Sequence, residues 1–264
     1  MGRLTLTKLR KMKRQGEKIA MLTAYDASFA ALLEAAGVEV LLVGDSLGMV
    51  LQGQESTLPV TMDDMVYHCR NVARGSQRAF MLADMPFMSY ATPIQAADNA
   101  ARLMREGGVQ MVKFEGGRLL AETVEYLTAR GIPVCAHLGL LPQSVHRMGG
   151  YRVQGRGETS AQQIHDDAMI LQEAGADMLI LECVPARLGN EITDVLKIPV
   201  ISCGAGPYCD GQVLVLYDML GISRGKPPSF SHNFLEGTNN IPDAIQAYVS
   251  AVKKKEFPPL ELSY

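Results

Sequence analysis

Val38–Ser46 reads VEVLLVGDS, an apolar run of strand length that ends on an acidic residue, Asp45. Four further runs repeat the pattern: Ala79–Phe87 (AFMLADMPF), Met111–Gly117 (MVKFEGG), Pro133–Leu140 (PVCAHLGL) and Asp177–Pro185 (DMLILECVP). Their polar residues are Asp84, Glu115, His137 and Glu182. Continuous apolar runs are the mark of strands buried on both faces, which occur in parallel sheets covered by helices. In such sheets and barrels the carboxyl ends of the strands converge on one face, where active sites sit. Four carboxylates and an imidazole gathered there read as a metal and acid–base site.

Outward from these runs, strands and helices alternate from residue 19 to about residue 220. Ile19–Tyr25 is the first strand, and a helix over Asp26–Ala36 stops at Gly37. Thr61 or Asp63 caps a helix reaching Arg74, and Thr92 followed by Pro93 opens another that stops at Gly107–Gly108. Helices are expected over Ala161–Ala174, Arg187–Leu196 and Pro242–Lys254, with a further strand at Pro199–Gly204. GQVLVLYDMLG is ambiguous between an eighth strand and a helix, because a short apolar run does not decide the period. The unit count favours a single-domain (βα)8 TIM barrel over residues 1–264, with an open doubly wound sheet as the alternative. Against a dinucleotide fold, the first strand does not run into a GxGxxG turn.

The composition fits that size. The 264 residues are 47% hydrophobic and 20% charged with a net charge of −3, which supports a large core and argues against nucleic acid or an anionic membrane as a partner. The apolar runs fall far short of the ~20 residues that span a bilayer. The five cysteines, Cys69, Cys135, Cys183, Cys203 and Cys209, form no CxxC pair, and a reducing, cytoplasmic setting is expected. The basic N-terminus, MGRLTLTKLRKMKRQGEK, lacks the apolar core of a secretion signal. Its run into IAMLTAY leaves little room for an organellar presequence, and a short surface helix capped by Thr7 is expected.

Asp45, Asp84 and Glu115 are spaced 39 and 31 residues apart, about one β–α unit each. On adjacent staves they would crowd like charges, a conflict that a divalent cation relieves, and all-oxygen ligation suits Mg²⁺. A single such Asp would more ordinarily cap a helix or pair with a base; three in succession favour metal. Lys113 shares a strand face with Glu115 and could neutralise a substrate carboxylate or pair with that acid. Glu182 sits in an apolar setting that raises its pKa and suits it to proton abstraction, with a salt bridge to Arg187 as the plain alternative. His137 could donate to substrate or serve only the fold. Ser46 offers a hydroxyl and an N–H to a carboxylate. GGYRVQGRG (Gly149–Gly157) lacks the Gly-Lys-Ser ending of a P-loop and reads as a mobile lid.

The strings LLVGDSLGMVLQG, TLPVTMDDMVYHC, LADMPFMSYATP, MVKFEGG, HLGLLPQSV, GGYRVQGRG, LILECVPA and IPVISCGAGPYCDGQ, in this order over about residues 4–250, resemble the ketopantoate hydroxymethyltransferase family. That resemblance implies a (βα)8 barrel passing a hydroxymethyl group from 5,10-methylenetetrahydrofolate to 3-methyl-2-oxobutanoate through a Mg²⁺-stabilised enolate. It implies Mg²⁺ at Asp45, Asp84 and Glu115, oxo acid contacts at Asp45, Ser46, Asp84 and Lys113, and Glu182 as proton acceptor. It also implies a homo-oligomer, a decamer. Ala136, Leu141 and Cys203 depart from the family pattern and touch packing and pocket shape. A Mg²⁺-dependent lyase or mutase of the phosphoenolpyruvate mutase and isocitrate lyase type is the nearest rival, and a barrel that binds a ligand without catalysis a more distant one. The Cys-bearing loop usual in that rival is not evident.

Overall fold

The computed structural model describes residues 2–264 and closes eight parallel strands, in chain order, into a barrel. The strands are β1 Ile19–Thr23, β2 Val40–Val43, β3 Phe80–Asp84, β4 Met111–Glu115, β5 Val134–Gly139, β6 Met178–Glu182, β7 Val200–Cys203 and β8 Gly211–Leu214. The helices are α1 Leu6–Arg14, α2 Ala27–Ala35, α3 Leu47–Val50, α4 Met62–Gly75, α5 Pro93–Arg105, α6 Ala121–Thr128, α7 Val145–Met148, α8 Glu158–Glu173, α9 Ala186–Val195, α10 Leu216–Met219 and α11 Ile241–Lys253. β8 pairs with β1 from Ile19↔Gly211 to Leu22↔Leu214, which rules out the open sheet. The ambiguous GQVLVLYDMLG does both things: its first half is β8 and its second half is α10.

Local chemistry starts the helices where the sequence suggests. The Asp26 carboxylate accepts from the Phe29 N–H, Thr61 and Asp64 form a reciprocal capping box, and Thr92 caps α5 with Pro93 behind it. The stretch after β5 carries a 3₁₀ turn at Pro142–Ser144 and then α7.

Side-chain parity decides what reaches the site. Ile19, Met21, Val40, Leu42, Phe80, Leu82, Met111, Cys135, Met178, Ile180, Ile201 and Val213 form one apolar cluster inside the barrel. Their neighbours on the same strands, such as Leu41, Met81, Val112, Ala136 and Leu179, join the separate layer beneath the helices. A strand alternates its side chains, so Asp84 shares the interior face with Leu82, Lys113 and Glu115 with Met111, His137 with Cys135, and Glu182 with Ile180. The upper barrel is therefore polar and the lower barrel apolar.

One expectation needs correction. The N-terminal helix runs from Leu6 with Thr5, not Thr7, as its cap, and it is not a surface helix. Leu9 and Met12 are fully buried and belong to the interior cluster, with Leu4 and Leu6 packed alongside. The helix is a plug for the apolar end of the barrel. Burying one such side chain contributes about 1.5–3 kcal/mol.

Candidate active site

Glu115 and His137 face each other in the β4–β5 register, and Asp84 pairs with Lys113 across β3–β4. Their side chains meet at the mouth of a cavity of about 610 Å³, which Asp45, Ser46 and Glu182 also line. All seven residues singled out from the sequence thus line one cavity.

Four of them form a continuous line. Lys113 Nζ lies 2.8 Å from Asp84 Oδ1 and 3.1 Å from His137 Nδ1, and His137 Nε2 lies 3.2 Å from Glu182 Oε2. Burial alone would strip the proton from Lys113, but Asp84, Glu115 and Asp45 together hold its pKa above the usual lysine range. Burial, with the Lys113 charge beside it, pushes His137 well below the usual imidazole value. The imidazole is therefore neutral. Nδ1 accepts from the ammonium, and we assign the ring proton to Nε2, facing Glu182.

Burial raises Glu182 to about 7 and Glu115 to about 8. Arg187 is engaged with Glu191 at 2.7 Å, so the alternative of an Arg187 salt bridge to Glu182 is not what the structure contains. Burial likewise lifts Asp45 well above its ordinary range, with the Asp84 and Glu115 charges adding to the effect.

Backbone close to the site is held tightly. The Asp45 N–H donates to Asp84 Oδ2 at 3.0 Å. A Cβ on Gly44 would fall 2.8 Å from Ser46 Oγ, and one on Gly139, at φ +94°, would fall 2.1 Å from the Glu182 carbonyl oxygen. Glycine at these two points lets β2 and β5 close around the acids. Of the three departures from the family pattern, Ala136 packs under the helices, Leu141 is half-buried, and only Cys203, opposite Glu182 in register, lines the cavity.

Two buried residues escaped the sequence reading. Gln143 donates from Nε2 to Asp45 Oδ2 (2.7 Å) and to the Met85 carbonyl (2.9 Å), accepts at Oε1 from the Tyr90 hydroxyl, and donates its own N–H to Glu115 Oε2 (2.9 Å). Tyr25, wholly buried, shares a 2.8 Å hydrogen bond with Ser46 Oγ. The one hint for Gln143 was a lone amide in LLPQSV; for Tyr25 there was no hint beyond its place at a strand end.

Among the described residues no three His, Cys, Asp or Glu side chains converge as a complete metal cage. The carboxylates nonetheless suit a hard cation that keeps its own waters. Asp84 Oδ1 is buried with no aligned hydrogen bond, and Asp45 is held beside it by Gln143. Each acid has one oxygen engaged within the protein: Glu115 Oε2 by the Gln143 N–H, Asp45 Oδ2 by Gln143 Nε2, and Asp84 Oδ2 by the Asp45 N–H.

The sequence profile described as ketopantoate hydroxymethyltransferase matches residues 3–259. The chain belongs to that family. It is 88% identical over 264 residues, the whole of both chains, to the 3-methyl-2-oxobutanoate hydroxymethyltransferase of Nitrosococcus oceani, and is a hydroxymethyltransferase of that kind. Among solved structures it resembles phosphonopyruvate hydrolase in complex with oxalate and Mg²⁺, with a TM-score of 0.60 and 14% identity over 80% of this chain and 81% of that one. It also resembles 2,3-dimethylmalate lyase, a member of the phosphoenolpyruvate mutase and isocitrate lyase superfamily (TM-score 0.59, 20% identity, 82% of each chain). At those identities the likeness is one of fold. It places the rival reading's barrel beside this one without lending its chemistry. Among the described residues no helix is long and apolar enough to cross a membrane.

Proposed function

We propose that residues 1–264 act as one catalytic domain that transfers a hydroxymethyl group from 5,10-methylenetetrahydrofolate to 3-methyl-2-oxobutanoate, giving 2-dehydropantoate. The observation that carries this reading is the row of close contacts, 2.8, 3.1 and 3.2 Å, that runs through Asp84, Lys113, His137 and Glu182. A proton acceptor with a pKa near 7 ends that row, and charge-stabilising groups occupy the rest.

Glu182 takes the C3 proton of the oxo acid, a step worth roughly 10²–10⁴-fold. Neutral His137 places Nε2 3.2 Å from that carboxylate, within reach of a hydrogen bond once the two groups align, while its Nδ1 accepts from Lys113. Lys113 stabilises negative charge as it builds on the substrate oxygens, in a site dry enough for that charge to count. Ser46, fixed by Tyr25, offers its hydroxyl to the substrate carboxylate. Water breaks both C–N bonds of the one-carbon unit, its two hydrogens going to the amine nitrogens of tetrahydrofolate and its oxygen staying on the carbon as a carbonyl. The carbanion carbon adds to that carbonyl, whose oxygen takes the proton from Glu182 and becomes the new hydroxyl. Asp45, Asp84 and Glu115 would hold Mg²⁺. When bound, that ion supplies Lewis-acid stabilisation of enolate charge. A phosphonopyruvate hydrolase with the same fold was crystallised with oxalate and Mg²⁺, so a barrel of this shape can accommodate a divalent cation.

The deciding experiment incubates the protein with both substrates and Mg²⁺ and follows product alongside C3 deuterium exchange. Product and Mg²⁺-dependent exchange are expected. Binding of the oxo acid with neither would reduce the protein to a ligand-binding barrel and overturn the proposal.

A further inference from the structure

A second hollow of about 430 Å³ adjoins the reaction cavity and shares Tyr151, Cys183, Ser229 and Tyr264 with it as a common wall. Its own wall carries Arg152 and Arg156. Among the described residues neither guanidinium is ion-paired, although Arg118, Arg187 and Arg102 all are. Two unpaired arginines on one concave surface form an anion-recognition feature, because the planar guanidinium matches a carboxylate fork.

The backbone between them is anchored. The Gln154 N–H donates to the Cys183 carbonyl at 2.8 Å, tying the segment to the residue after Glu182. Gly155, at φ +75°, packs so tightly that a Cβ there would lie 2.7 Å from Leu188 Cδ2. On the shared wall, the Tyr264 hydroxyl and Ser229 Oγ hydrogen-bond at 2.7 Å. The backbone that carries the two exposed arginines is thus tied beside the strand end that bears the proton acceptor.

The donor named above has matching chemistry. Its reactive one-carbon unit sits on the pteridine end, and its far end is a glutamate bearing carboxylates. With the reactive end at Glu182, the adjoining hollow offers the anionic end a positively charged continuation of the cavity. We propose that Arg152 and Arg156 receive those glutamate carboxylates, the donor passing Tyr151 between the two hollows. This rests on the proposed use of a folate donor. Arg224 and Lys226 are the competing cations, but they line the reaction cavity and not the side hollow.

The test compares 5,10-methylenetetrahydrofolate with 5,10-methylenetetrahydropteroate, which lacks the glutamate, in the wild type and in Arg152→Gln/Arg156→Gln. The wild type should favour the folate in kcat/KM by about tenfold or more, the loss expected for one charge-assisted hydrogen bond. The double variant should lose that preference through a higher KM for the folate, while its kcat with the pteroate stays near the wild-type value. Arg152→Glu alone should push the preference below parity. A preserved preference in the double variant, or its loss only in Arg224→Gln/Lys226→Gln, overturns the assignment. A wild type that uses the folate but does not prefer it does the same, and one that turns over neither donor rejects the donor reading itself.

Discussion

Gln143 Nε2 donates to Asp45 Oδ2 at 2.7 Å, while the backbone N–H of the same residue donates to Glu115 Oε2 at 2.9 Å. One residue on the β5–α7 connection therefore orients two acids from β2 and β4. Gln143→Leu keeps the volume and removes the amide, leaving the Met85 carbonyl and Tyr90 hydroxyl without their partner. A stability loss of about 1–3 kcal/mol is expected in urea denaturation. The Mg²⁺ concentration for half-maximal C3 exchange should rise about 10–100-fold, as for other residues that orient metal ligands. An unchanged Mg²⁺ titration would show that Gln143 serves the fold alone.

Glu182→Gln should bind 3-methyl-2-oxobutanoate, measured by calorimetry, yet lose at least about 10² in C3 deuterium exchange. Exchange at the wild-type rate would remove Glu182 from its role.

Asp84→Asn removes the negative partner of Lys113, 2.8 Å away, and one of the three carboxylates proposed to hold the cation. Breaking a buried pair on one side costs about 3–5 kcal/mol. The dependence of exchange on Mg²⁺ should weaken as well. A variant with a lower melting temperature but an identical Mg²⁺ titration would assign Asp84 to the lysine only.

The raised acids make stability depend on pH in a defined direction. Without metal, folded Glu115 and Glu182 hold protons up to about 8 and about 7, whereas the unfolded chain releases them near 4.5. The folded state therefore binds more protons in this window, and its stability falls as pH rises from about 4.5 to about 8. A cation favours the ionised carboxylates, so its stabilisation should grow over the same range. Melting curves with EDTA and with Mg²⁺ at pH 5 and pH 8 measure both. A Mg²⁺ increment that is the same at the two pH values would contradict the account.

Leu9→Ala opens a void where α1 closes the barrel floor. A loss of about 2–5 kcal/mol is expected, with exchange activity retained at a temperature where the variant is folded. A cost below about 0.5 kcal/mol would mean that the helix only lies on the surface.

The barrel and most of its site were legible because both are written in local pattern. Strand-length apolar runs ending on Asp45, Asp84, Glu115, His137 and Glu182 place those residues by alternation and topology, without knowledge of any long-range contact. What escaped depends on contacts between distant parts of the chain. Gln143 meets Asp45 across 98 residues, and no period in the sequence announces that pairing. The N-terminal helix reads as amphipathic either way, and only the open end of a barrel tells a plug from a surface helix. Arg224 and Lys226 reach the cavity from a segment without regular structure, where side-chain direction has no periodic signature.

Lys113 and Glu115 stand on the same face of β4 as Met111, with Val112 and Phe114 turned the opposite way. An insertion or deletion of one residue within this stave would exchange the two sets, sending the ammonium and carboxylate among the helices and filling the reaction chamber with valine and phenylalanine. Length changes in connections that carry no site residue leave this parity intact, whereas the staves themselves must keep their count.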